Sequence, residues 1–383
     1  MLGVLLAAFA SLSMSLVFGK KAGALRMASS SSSVVYSYGK ALIKADFTER
    51  TNRFECKAII GIGENEEETA IYCPNTGSML SLVPTDTLPS RKSLLSATHD
   101  TKRKHVHTLE AVVENGALVG IHSKLANDMV NSALKQELVS EVKGFTELNR
   151  EVSGAVVGKD GASRTDFELV WRDTTTKIEE SADFSSFAYH APEEEVKAKP
   201  AKKTSSKPKR DTSNVGVTCR MLVEVKSVTL ASDSDSQPYG ERNAQFPDCV
   251  STRASKHLRA LMAHLEADKK RATSGRRDRA AVLFLVQRDD VSTFSPCHLD
   301  AAYTHQLSLA LEAGVELLCY SVKLEADTGE VVWGRRIEYR PNPLPASYFE
   351  DQSKNKERGG KGKKRNQEGS KTPPSKKTKA KEE

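Results

Sequence analysis

Cysteine, aromatic residues and long apolar runs are all scarce in this chain, and each scarcity excludes something. The six cysteines (Cys56, Cys73, Cys219, Cys249, Cys297, Cys319) are scattered, and no two form a Cys-x-x-Cys pair. This argues against a zinc site or a disulfide scaffold and for reduced thiols that fill gaps in a core. Hydrophobic residues make up 38% of 383 residues, enough for globular cores but low for a chain folded throughout. Disordered extensions account for such a deficit. The apolar stretch at residues 2–18 is short for a membrane span. Acidic residues are missing before Asp46. The length suggests two domains with tails.

The acid-free N-terminus holds the apolar stretch, then Lys20, Lys21 and Arg26, then a serine run. This order fits a targeting segment over residues 1–40, disordered and without a part in the fold. Two layers in tandem favour a signal-plus-transit leader into a plastid bounded by extra membranes. A mitochondrial or secretory leader is the rival. Once such a leader is removed, no stable membrane association is expected.

The formal net charge is +7, but it is unevenly placed. Residues 351–383 carry 12 Lys/Arg and 5 Asp/Glu, so the rest of the chain holds 45 of each sign. Any DNA affinity of the folded body must therefore come from where its charges sit. The basic tail, residues 341–383, is expected to be disordered. It is either a solvating tail, a DNA-tethering arm or a nuclear import signal.

Residues 41–125 read as short strands, with Asn115-Gly116 at the tip of a hairpin. Such strands suit an OB-like β-barrel, a frequent nucleic-acid binder. Residues 126–150 read as a helical connection. Residues 151–340 read as a second domain, a mixed sheet with flanking helices, interrupted by a Thr/Ser/Lys/Pro-rich insert at 173–214. The insert reads as a disordered extension of a hairpin tip. The fold class is α/β, α+β overall.

Val223-Glu224-Val225-Lys226 carries the most information. It reads as a buried strand whose two polar residues are spaced i, i+2 and so share a face. An acid and a lysine there are costly to bury without partners. A divalent cation and a phosphate suit them, Glu224 binding the ion and Lys226 the phosphate or attacking water. Asp166, in the strand-like run 165–171, is the second acid. The order Asp166, then Glu224-x-Lys226, then a basic helix resembles the restriction-endonuclease-like core.

Read together, further segments sharpen the resemblance. They are Cys73-Pro74-Asn75-Thr76-Gly77-Ser78-Met79, Thr108-Leu109-Glu110, Arg150-Glu151-Val152, Ser163-Arg164-Thr165-Asp166-Phe167, and Glu224-Val225-Lys226-Ser227-Val228-Thr229-Leu230. Phe246-Pro247-Asp248, Lys256-His257-Leu258 and Val286-Gln287-Arg288 follow in order. Over residues 41–339 the chain resembles the sugar fermentation stimulation protein family. The resemblance implies an OB-like barrel, a nuclease-like domain and DNA binding. Two positions depart from the family's pattern: Ala126 stands where Pro is usual, and Ala254 follows Arg253 where Gly is usual. The second bears on a close backbone approach before the basic helix, because Ala takes positive φ less freely than Gly.

The candidate metal set is Asp166, Glu224 and the backbone carbonyl of Val225, with Mg²⁺ the ion expected for hard oxygen ligands. Lys226 completes the catalytic group by stabilising the phosphoryl charge. In the helix after Val250, Leu258, Leu261, Met262 and Leu265 should face the core. Arg253, Lys256 and Arg259 form a stripe opposite, able to track a phosphate backbone or merely to be solvated. In the first domain Lys102, Arg103 and Lys104 form a basic loop for phosphate contact. Supporting residues are Glu151, Asp248 (alternatively a helix cap), His257, and Gln287 with Arg288 at the end of a central strand. Three readings remain: a DNA-binding protein without turnover, a Mg²⁺-dependent nuclease, and a regulator of sugar metabolism acting through DNA or protein contacts. A homodimer is compatible with each.

Overall fold

The computed structural model describes residues 33–158, 161–172, 217–232, 242–271 and 278–348. The expected insert at 173–214, the leader up to residue 32 and the tail from residue 349 lie outside them. Among the described residues no helix is long and apolar enough to cross a membrane.

The first strand corrects the expected leader boundary. Strand β1 (Val34–Ser37) lies within the 1–40 segment, yet it pairs antiparallel with a strand near the other end of the chain. Val35 is buried there. The barrel follows: β2 (Ile43–Glu49), β3 (Glu55–Ile60), β4 (Glu67–Tyr72), β5 (Arg91–Ala97), β6 (His107–Glu114) and β7 (Ala117–Gly120). Their order is β4-β3-β2-β5-β6-β7, and β4 closes back on β6 where Tyr72 meets Thr108. Strand alternation fills the interior with Phe47, Cys56, Ala58, Ile71, Leu95 and Leu109, all fully buried. Asn115 and Gly116, at φ 51° and 83°, make the β6–β7 turn. Both central residues of such a turn need positive φ, which is why Asn-Gly marks it.

The second domain begins with one helix, α1 (Leu125–Lys135), and then a long strand, β8 (Glu147–Gly158). The expected helical connection therefore stops well short of residue 150. Antiparallel strands β9 (Gly161–Arg172) and β10 (Val217–Val228) pair next, with Arg172 opposite Val217. The chain continues through β11 (Leu230–Ala231), β12 (Arg242–Phe246), α2 (Thr252–Arg271), β13 (Arg279–Val286) and β14 (Val291–Pro296). It ends in α3 (Ala301–Glu312), β15 (Glu316–Glu325), β16 (Glu330–Arg336) and β17 (Glu338–Tyr339).

The main sheet has the order β1-β16-β15-β13-β10-β9-β8, parallel across β10, β13 and β15 and antiparallel elsewhere. Helix α1 covers one face through Met129, Val130 and Ala133, packed with Val223, Leu283 and Phe167. Helices α2 and α3 cover the other through Leu258, Leu261 and Leu307, against Leu222, Val282 and Phe284. β13 is buried on both faces, which explains its unbroken run of apolar residues. A second, four-stranded sheet, β11-β12-β14-β17, was not legible in the sequence, because its strands are short and half polar. Residues 341–348 belong to the body rather than the tail: Asn342 Nδ2 donates to the Pro296 carbonyl (3.0 Å).

Candidate functional site

β10 lies inside the main sheet, between β9 and β13, so its polar residues meet neighbours on every side. Leu222 packs under α2 and α3, and the two-residue period puts Glu224 and Lys226 on that same face. Backbone pairing of β9 with β10 ends at Phe167 opposite Val223. One step further along that register, Asp166 stands across from Glu224. There the Asp166 side chain takes over the sheet's hydrogen bonding: Oδ2 accepts the Val225 N–H at 2.8 Å. Oδ1 accepts from Asn127 Nδ2 of α1 at 2.9 Å.

Glu224 is 4% exposed. Its Oε1 accepts from Lys226 Nζ at 2.7 Å and is in contact with His257 Nδ1 of α2. Arg253 Nε donates to His257 Nε2 (3.4 Å), which leaves Nδ1 to carry the ring proton toward Glu224. Burial pushes the Glu224 carboxyl up, but the Lys226 ammonium and His257 more than offset it, so it sits below the usual carboxylate value. Asp166 is shifted the other way: burial first, then the nearby Glu224 charge, hold it above its ordinary value despite Val225 N–H, Lys226 and Asn127. Two adjacent carboxyls are thus driven apart in acidity, a pattern typical of working sites.

Asp166, Glu224, Val225 and Lys226 form part of a cleft of about 510 Å³. One wall comes from the second domain, with Phe246, Pro247, Asp248, Ser251, Arg253 and His257. The other comes from the barrel, with Arg53, Asn75, Thr76, Gly77 and Ser123. The walls touch: Ser78 Oγ donates to the Asp248 carbonyl (2.6 Å), and the Met79 N–H to Asp248 Oδ2 (2.9 Å). At Gly77 a Cβ would lie 2.9 Å from Asp248 Oδ2, so any larger residue would have to displace that carboxylate. Arg50 holds the loop's shape, donating to the carbonyls of Asn75 (2.8 Å) and Gly77 (2.8 Å).

Seven expected site residues therefore meet in one cleft: Asp166, Glu224, Val225, Lys226, Asp248, Arg253 and His257. Asp248 docks the barrel loop and does not cap α2; Ser251 does, its Oγ accepting from the Ala254 N–H (3.2 Å). Lys256 and Arg259 lie on α2 outside the cleft lining. Glu151 is also away from it, ion-paired with Arg164 at 3.3 Å. The basic loop is elsewhere on the barrel, where Lys104 pairs with Glu55 (2.6 Å) and Arg103 lies over the Tyr72 ring (5.6 Å).

Gln287 and Arg288 are braces rather than ligands. Gln287 Nε2 donates to Ser227 Oγ (2.6 Å), and its carbonyl accepts the Gly120 N–H of the barrel (2.8 Å). The Arg288 side chain is fully buried and pairs with Glu114 of the barrel (2.6 Å) and Asp290 (2.6 Å). Burial opposes its charge, but Asp290 and Glu114 more than compensate and hold its pKa up. Arg50, Arg53 and Asn127 went unnoticed in the sequence. Only Arg53, beside the exposed Phe54, carried a local signal.

Together, an OB-like barrel and a restriction-endonuclease-like mixed sheet share a polar, carboxylate-floored cleft. Residues 48–121 match the family model described as the SfsA N-terminal OB domain, and residues 193–328 match the sugar fermentation stimulation protein RE domain. A sugar fermentation stimulation protein homolog from Shewanella sp. (strain MR-7) is 32% identical over 69% of this chain and 84% of its own length. Another, from Magnetococcus marinus, is 30% identical over 79% of this chain and 98% of its own. The chain belongs to the sugar fermentation stimulation protein family. The solved structure of Pyrococcus furiosus SfsA in complex with Ca²⁺ shares the fold. Its TM-score is 0.54, with 21% identity over 80% of this chain and 99% of that one.

Proposed function

We propose that this protein binds DNA and hydrolyses its phosphodiester bonds at the cleft with the help of a divalent cation. One observation carries the reading: the Asp166 carboxylate takes the Val225 N–H at 2.8 Å just past the last β9–β10 pair, next to Glu224, which has Lys226 beside it at 2.7 Å. Two hard carboxylates under mutual repulsion suit Mg²⁺, which takes few protein ligands and keeps several waters. Asp166, Glu224 and the Val225 carbonyl would hold the ion. When bound, it polarises the phosphoryl oxygen and lowers the pKa of a coordinated water. Lys226 Nζ places positive charge where the phosphoryl group gains negative charge. His257 fixes the Glu224 carboxylate, and Arg53 and Arg253 offer guanidinium groups to flanking phosphates. Pyrococcus furiosus SfsA was solved in complex with Ca²⁺, which supports a hard-cation site in this fold.

Binding without turnover is the second reading. It is favoured by the occupation of Glu224 Oε1 by Lys226 and His257. Among the described residues there is also no group of three or more His, Cys, Asp or Glu placed to hold a metal. Incubating the full chain with supercoiled plasmid, in Mg²⁺ or in EDTA, separates the two. Nicking that requires Mg²⁺ and disappears in Lys226→Ala supports hydrolysis. Retention of DNA in EDTA with no cleavage under any metal leaves binding alone.

A further inference from the structure

Phe54 is a large aromatic ring left 50% exposed on the β2–β3 loop of the barrel. Its backbone is held at both groups: the Phe54 N–H donates to Asn52 Oδ1 (2.9 Å), and its carbonyl accepts the Cys73 N–H (2.9 Å). The ring is therefore presented by fixed backbone. The Arg53 guanidinium lies 5.7 Å from its centroid, and Arg53 itself lines the cleft. Among the described residues neither Arg53 nor Arg253 has a carboxylate partner, unlike the sealed Arg288. An exposed aromatic stacked with an arginine is a platform for an unpaired base.

The depth of the site points the same way. Glu224 is nearly fully buried, and the walls above it are joined by the Ser78–Asp248 contacts. A phosphate on a duplex is carried beside a partner strand, which must stay outside a recess of about 510 Å³. A strand free of its partner can enter and set a base on Phe54.

We infer that the cleft accepts single-stranded nucleic acid, with Phe54 and Arg53 forming the base-stacking and phosphate-binding lip at its barrel side. This rests on the reading of the cleft as a phosphodiester site and names its substrate class.

The test uses the full chain and one fluorescein-labelled oligonucleotide sequence as a single strand, as a blunt duplex, and as a duplex with a single-stranded overhang. Binding is read by anisotropy in EDTA at about 150 mM salt, which damps the tail's unspecific charge; cleavage is read in Mg²⁺. The single strand and the overhang should bind at least ~10-fold tighter than the blunt duplex, and Phe54→Ala should weaken the single strand by ~5- to 100-fold. Phe54→Tyr should restore it, and duplex binding should not change. Equal affinity for blunt duplex, or no effect of Phe54→Ala in a chain with unchanged circular dichroism, overturns the inference. Blunt duplex cut as fast as single strand overturns it too, while leaving hydrolysis standing. Selective, Phe54-dependent binding with no cleavage keeps the inference and removes hydrolysis. If neither form binds, both fall.

Discussion

Two charged clusters sit where the barrel meets the nuclease-like domain, and they differ in what they leave open. Around Arg288 every charge is answered: Glu114, Asp290 and Arg242 close the network, and Arg288 donates also to the Thr229 carbonyl (3.0 Å). Around Asp166 the charges are unbalanced. Two carboxyls lie close enough that Glu224 raises the pKa of Asp166, and two guanidinium groups approach the same cleft without acidic partners among the described residues. A sealed network holds two domains in one geometry. An unsealed one, facing a cleft, leaves charges for the proposed ligand to complete.

Breaking the sealed cluster should produce the largest change. Glu114→Ala leaves Arg288 and Arg242 with Asp290 alone, and should cost about 3–5 kcal/mol in urea unfolding. Breaking the open cluster should cost less stability, because His257 still answers Glu224 when Lys226 is lost. Lys226→Ala should lower plasmid nicking by about 10²- to 10³-fold, with a Tm drop smaller than that of Glu114→Ala.

The comparison sharpens with pH. The proposed cation site would need Asp166 ionised, and its pKa is raised. Below that pKa, Mg²⁺ affinity should fall about tenfold per pH unit as one proton is displaced. Asp166→Asn should abolish the slope in calorimetry. For stability the two acids act oppositely. Glu224, lowered in the fold, contributes above its unfolded value and loses this as pH falls through its folded value. Asp166, raised, contributes below its unfolded value and loses this as pH rises through its folded one.

A third buried acid gives a smaller effect. Burial pushes the Glu110 carboxyl up to about 7, against hydrogen bonds from Ser96 and Tyr38. Tyr38 follows β1 and donates to Glu110 at 2.9 Å, tying the N-terminal segment to the barrel. By the same sign, its contribution should be lost as pH rises from the ordinary carboxylate range through about 7, and Glu110→Gln should flatten that Tm profile. The smallest effect should come from Ser251→Ala. It removes the α2 cap contact (3.2 Å) at a cost of about 1 kcal/mol.

Much of the site was legible because it rests on local periodicity. The i, i+2 spacing put Glu224 and Lys226 on one face, and the 3.6-residue period put Leu258, Leu261 and Leu265 inward on α2. Asn115-Gly116 announced its turn. What spacing did not supply is partners. Gln287 and Arg288 were expected to support the site from the end of a central strand, and the partners that make them braces, the barrel's Gly120 and Glu114, come from remote segments. Asp248 was open to two roles, support of the site or a helix cap, and the loop at Ser78 and Met79 rules out the second by occupying it. β1 was hidden in a leader-like composition, and its partner β16 lies almost 300 residues away in the chain.

Taken alone, the order of residues determined which side chains share a face, where turns fall, and that a carboxylate–lysine pair must be buried with something to answer it. These follow from bond geometry and the covalent repeat of strand and helix. The tertiary structure decided which charges are sealed and which remain open to a cleft. That choice depends on groups such as Arg53, Asn127 and Glu114, brought in from remote segments by packing. Sequence spacing cannot encode it, because packing selects contacts by shape and desolvation rather than by position along the chain.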